Sequence, residues 1–113
     1  MSQVKIEEQI GGTIVRLKGK FIGGDETNEL QEMLTKLGEE KKDKLIIDLK
    51  NVSYLNSTAL GVLIAAHANF IKRGGRIILT GLADSIENLF VITKLTLVFE
   101  IAPNVEEAIK KIQ

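Results

Sequence analysis

From Val4 to Gln9 apolar and polar residues alternate, with Val4 and Ile6 set against Lys5 and Glu7. That period belongs to a strand with one buried face. Gly11-Gly12 supplies a turn, and alternation resumes from Thr13 to Lys18, with Ile14, Val15 and Leu17 against Arg16 and Lys18. The two segments predict a hairpin whose second strand ends at Gly19. Gly19 to Asp25 then reads as a loop with an apolar tip, Phe21-Ile22, followed by Gly23-Gly24. Asp25 is placed to cap a helix, and Glu26 and Glu29 suit its first turns. Leu30, Met33, Leu34 and Leu37 form its apolar stripe. Gly38 and the charged run Glu39 to Asp43 end it as a solvated terminus.

Lys44 to Leu49 carries consecutive apolar residues, Leu45-Ile46-Ile47, as a central strand covered on both faces does. A short polar loop follows, and a helix is expected from Thr58 to Arg73. Leu60, Leu63, Ile64, His67 and Ile71 share its expected buried face, with Val62, Ala65, Ala66 and Asn69 opposite. Gly74-Gly75 closes it. Arg76 to Thr80 repeats the buried-strand pattern. Asp84 or Ser85 caps a short helix through Thr93, Val98 to Ile101 is a last strand, and Pro103 falls near the first turn of a final helix. Val105, Ala108, Ile109 and Ile112 stripe that helix. The order ββαβαβαβα predicts an α/β sandwich: a mostly parallel central sheet with an N-terminal antiparallel hairpin.

Composition narrows the function. The 113 residues suit a single domain, 1–113, with enough chain for a core. Fifteen basic and fifteen acidic residues cancel, which gives no electrostatic footprint for nucleic acid. Without cysteine there is no disulfide or thiolate chemistry, and the single histidine, His67, cannot form a His-pair metal site. No metal or cofactor is expected. The N-terminus lacks the apolar region of a signal peptide, and the longest apolar run, Leu60 to Ala66, is far short of a membrane span. A cytoplasmic protein is the expectation. His67 reads as a hydrogen-bonded packing residue, ten positions beyond Ser57 on one helix and out of its reach.

What remains is a hydroxyl-rich loop at the carboxyl end of a strand, where ligands and partners of α/β sheets collect. Asn56 or Ser57 caps the following helix. The loops Phe21 to Asp25 and Gly81 to Asp84 follow other strands and are expected on the same edge. The run Leu49-Lys50-Asn51-Val52-Ser53-Tyr54-Leu55-Asn56-Ser57-Thr58-Ala59-Leu60-Gly61 resembles the signature of STAS domains, the bacterial anti-sigma factor antagonists. Their pattern is a strand, Val-Ser-Tyr/Phe, an apolar residue, Asp-Ser-Ser/Thr-Gly-Leu-Gly, then a helix. The likeness extends to Gly74-Gly75 and to Leu89 through Leu95.

The resemblance implies a protein switch and not an enzyme. Unphosphorylated, it binds an anti-sigma factor that is also a serine kinase. Phosphorylation at the position of Ser57, with Thr58 as a second acceptor, breaks the complex, and a PP2C-type phosphatase resets it. The implied docking surface comprises Phe21, Ile22, Gly23, Gly24, Asp25, Asn56, Ser57, Thr58 and Val62. A monomer or weak dimer is expected. The chain departs from the family at Asn56 for aspartate, at Ala59 for glycine, and at Gly19-Lys20-Phe21-Ile22, where the family often has Gly-Glu-x-Asp; the acid is absent there, and Asp25, after Gly23-Gly24, is the candidate substitute. A non-phosphorylated scaffold is the alternative function.

Overall fold

The computed structural model describes residues 3–113. Its sheet has five strands in the order β1 (Val4–Gln9), β2 (Gly12–Phe21), β3 (Lys44–Leu55), β4 (Arg76–Thr80) and β5 (Glu100–Ala102). β1 pairs β2 antiparallel, and every other pair is parallel. Helices α1 (Asp25–Glu39), α2 (Ser57–Lys72) and α3 (Asp84–Ile92) connect the parallel strands, and α4 (Val105–Ile112) closes the chain. A 3₁₀ turn at Leu95–Leu97 precedes β5. The expected α/β sandwich, with its order of elements, is the one found.

The consecutive apolar residues of the central strands divide between two layers because neighbouring side chains point to opposite faces. Val15, Leu17, Leu45, Ile47, Leu49, Ile77 and Leu79 meet Leu30, Leu34, Leu63, Phe70 and Phe90 from α1, α2 and α3. Ile14, Ile46 and Ile78 face the other way, onto Ala108 and Ile112 of α4. A sheet covered on both sides needs such runs, and their burial holds the frame that carries the loops.

Several boundaries move. β3 does not stop at Leu49 but continues through the supposed loop to Leu55. β4 pairs it only as far as Asp48↔Thr80, and beyond that point β2 alone accompanies it, to Phe21↔Leu55. The register shifts twice along this arm, so β3 carries two extra residues. Such bulges bend and twist a strand. They also leave Leu49, Val52 and Leu55 buried at a spacing of three, with Lys50, Asn51, Ser53 and Tyr54 exposed. That spacing fits neither a regular strand nor a helix, which is why the sequence read as a loop. β5 is Glu100–Ala102, shifted from Val98–Ile101, and Phe99 is buried before it.

Three cap assignments also change. α1 has Gly24 as its N-cap with no side-chain bond, and Asp25 is its first helical residue. α3 is capped at Ala83, again without a side-chain bond. Asn104 caps α4 through the amide of Glu107, so Pro103 lies just outside that helix.

Candidate functional site

The bulged arm ends where α2 begins. The Asn56 amide donates to the Phe21 carbonyl at 3.0 Å, extending the β2–β3 pairing by one bond. At the same residue the chain turns: Asn56 is extended in backbone and its Oδ1 accepts from the Ala59 amide at 3.0 Å. Of the two residues able to cap α2, Asn56 does so. Ser57 is therefore the first residue of the helix, exposed, with its hydroxyl free of protein hydrogen bonds among the described residues. The first-turn amides and the helix dipole favour negative charge beside it, and α2 has no acidic residue in its first turn. Thr58 is exposed as well.

The Phe21–Asp25 segment lies against this turn. A Cβ placed on Gly23 would come 3.4 Å from Thr58 Cβ and 3.5 Å from Asn56 Nδ2. Gly23 has φ +85°, a left-handed conformation that glycine adopts without strain. Ile22 is 55% exposed, whereas Phe21 is fully buried. The expectation of Phe21 at an exposed tip is corrected: it belongs to the core, since it points inward from the last pair of the β2–β3 ladder. Asp25 is exposed, and Val62 is half-buried, lining a groove with Gln31, Leu34 and Ala66 between α1 and α2.

Other expected neighbours are absent. Gly81, with φ +71°, abuts the backbone of Lys50, where β4 ends, six residues short of Asn56. β3 outruns β4, so Gly81 sits beside Lys50 and not beside the Ser57 turn. The buried face of α2 is also rotated from the one expected. Ala59, Leu60, Leu63, Ala66 and Phe70 are buried, whereas Ile64 and Ile71 are 38% and 52% exposed. Apolar residues occur nearly all round this helix, so periodicity alone does not select a face. His67 packs its ring 4.9 Å from Phe99, as a packing residue should, but its buried Nδ1 has no hydrogen-bond partner among the described residues.

Two features carry no distinct signal in the sequence. Tyr54, 51% exposed, stands on the arm two residues before Asn56. The Glu26 carboxylate, read as a simple dipole partner, turns back to the loop. Its Oε2 accepts from the Ile22 amide at 2.9 Å, the Gly24 amide at 3.1 Å and the Thr27 hydroxyl. These bonds hold its pKa down at about 2, the Thr27 bond contributing most. Elsewhere Asp48, nearly buried, accepts from Arg16 at 2.6 Å and from the Lys50 amide at 3.0 Å. Arg16 also pairs with Glu7, which ties β1, β2 and β3 together. No cluster of side chains suited to a metal occurs among the described residues, and no helix there is long and apolar enough to cross a membrane.

Residues 2–108 match the STAS domain model. The chain belongs to the STAS domain family. A Bacillus subtilis relative, an anti-sigma-B factor antagonist, is 37% identical over 81 residues, 72% of this chain and 73% of that protein. The Listeria monocytogenes anti-sigma-B factor antagonist is 45% identical over 62 residues, 55% of this chain and 54% of its own length. The chain thus spans about half the length of the Listeria relative. In fold the STAS chain resembles the anti-sigma factor antagonist SpoIIAA in its unphosphorylated form, with TM-score 0.78, 15% identity and 96% of each chain covered. The phosphorylated form of SpoIIAA, from Bacillus, matches with the same TM-score at 17% identity, over 97% of this chain and 99% of that one.

Proposed function

We propose that this STAS protein is an anti-sigma factor antagonist. Unphosphorylated, it binds an anti-sigma factor that is also a serine kinase, and phosphorylation of Ser57 releases that partner. The surface is built from Ile22, Gly23, Gly24, Asp25, Asn56, Ser57, Thr58 and Val62, with buried Phe21 supporting the loop from beneath. A PP2C-type phosphatase restores the binding form. The protein acts in the cytoplasm as a monomer or weak dimer, as a regulator of sigma-factor-dependent transcription and not as a catalyst.

The observation that carries this reading is the Ser57 hydroxyl. It belongs to an exposed residue, is free of protein hydrogen bonds among the described residues, and is set at the first position of a sixteen-residue helix whose cap is supplied by its neighbour. Modification there removes no bond on which the fold depends. A phosphoserine adds close to two negative charges. Within the antagonist the first-turn amides and dipole accept them. On an apolar or acidic partner the same charges lose their hydration or meet repulsion. Asn56 in place of the family's aspartate keeps the cap and leaves one charge fewer beside the phosphate.

The test is incubation with ATP and the anti-sigma kinases of its own cell, followed by mass spectrometry. Phosphate on Ser57, absent from Ser57→Ala, is the expected result. Phosphate found only elsewhere, or none, refutes the reading.

A further inference from the structure

We propose that Glu26 is the positioning residue of the docking surface. Its carboxylate locks the Ile22–Gly24 loop against the two residues that flank Ser57, so that loop and serine meet a partner as one preformed surface. The identity of that partner rests on the Ser57 reading above; the lock rests on the hydrogen bonds.

Three consecutive loop amides are taken by two side chains of the first turn of α1. Glu26 holds those of Ile22 and Gly24, and Thr27 Oγ1 accepts from Gly23 at 2.9 Å. The Thr27 hydroxyl donates in turn to Glu26, and Thr27 is itself buried, 2% exposed. Two of the three amides are therefore held by a charged acceptor, and charge-assisted bonds are roughly twice as strong as neutral ones. A capping-box carboxylate at the third helical position reaches the N-cap amide. Here the acid is the second helical residue, and it holds the N-cap amide of Gly24 together with that of Ile22, two residues further back. On its other side the loop faces Asn56 and Thr58 at Gly23, where an added Cβ would come 3.5 Å and 3.4 Å from them. A loop with two glycines has much backbone freedom to lose when a partner docks. Ordering it beforehand moves that loss from binding into folding.

Two variants test the lock. Glu26→Gln keeps the size and removes the charge, Glu26→Ala removes the acceptor, and Glu32→Gln, an exposed acid on the same helix, controls for net charge. The first readout needs no partner. Amide order parameters of Ile22, Gly23 and Gly24 should fall in Glu26→Ala, toward values below about 0.6, and stay at the wild-type level in Glu32→Gln. The second readout is Ser57 phosphorylation by the cell's anti-sigma kinase. KM should rise roughly tenfold in Glu26→Ala, and less in Glu26→Gln, with kcat unchanged. Loop amides that stay ordered in Glu26→Ala overturn the proposal. So does a loosened loop with KM unchanged, or a fall in kcat alone. If the wild type itself takes no phosphate on Ser57, the partner reading fails and the order parameters alone decide the lock.

Discussion

At the scale of single residues, the site depends on a division of labour between neighbours. Asn56 caps and Ser57 does not, so the two should respond differently to truncation. Asn56→Ala should cost about 1 kcal/mol in urea denaturation, and Ser57→Ala should stay within about 0.5 kcal/mol of wild type. Equal losses would mean that the serine hydroxyl also supports the helix. Glu26 yields a pH prediction. Its folded pKa of about 2 lies below the ordinary 4.5, so its contribution is full above 4.5 and is lost progressively as pH falls through 2. The Ile22 and Gly24 amide resonances should therefore hold their positions through the ordinary carboxylate range and move only near pH 2. A titration step near 4.5 would show that the carboxylate is free. The sequence named Asn56 and Ser57 as alternative caps because either side chain can accept a first-turn amide. It hid Glu26, since an acid in a first turn looks alike whether it faces solvent or folds back on the loop.

At the scale of elements, the legible parts were those with a clean period or a continuous apolar run. The hairpin, the two central strands and α4 form as their patterns predict. α2 forms too, but with a different face buried. Leu63 is 1% exposed and Ile64 38%, although the spacing predicts both on the inward face. Leu63→Ala should cost about 2–5 kcal/mol, whereas Ile64→Ser should change stability by less than about 0.5 kcal/mol. Comparable losses in the two variants would contradict the observed rotation. The bulged end of β3 was illegible because its inserted residues replace alternation with a spacing of three. Gly81 marks the other end of the β3–β4 pairing. A Cβ there would lie 2.9 Å from the Lys50 amide nitrogen, on a backbone with φ +71°. Gly81→Ala should destabilise by more than about 1 kcal/mol in thermal denaturation, and no loss would mean that the loop shifts freely.

At the scale of the whole molecule, the core and the proposed switch are separate. Two apolar layers bury the sheet on both faces, and the Ser57 turn lies at the end of a two-stranded arm beyond the β4 pairing. A charge added at that turn changes the outer surface without entering either layer. The motif pointed to this turn from the sequence, but the length of the arm and the Glu26 bonds to the loop belong to the folded chain. The most direct measurement is calorimetric titration of the cell's anti-sigma factor with the unmodified protein and with protein carrying phosphate on Ser57, alongside a melting curve of each. Loss of the added charges' hydration at the interface should weaken binding by roughly a hundredfold or more while the melting temperature barely moves. Equal affinity of the two forms, or a phosphorylated form that has melted, would contradict the account.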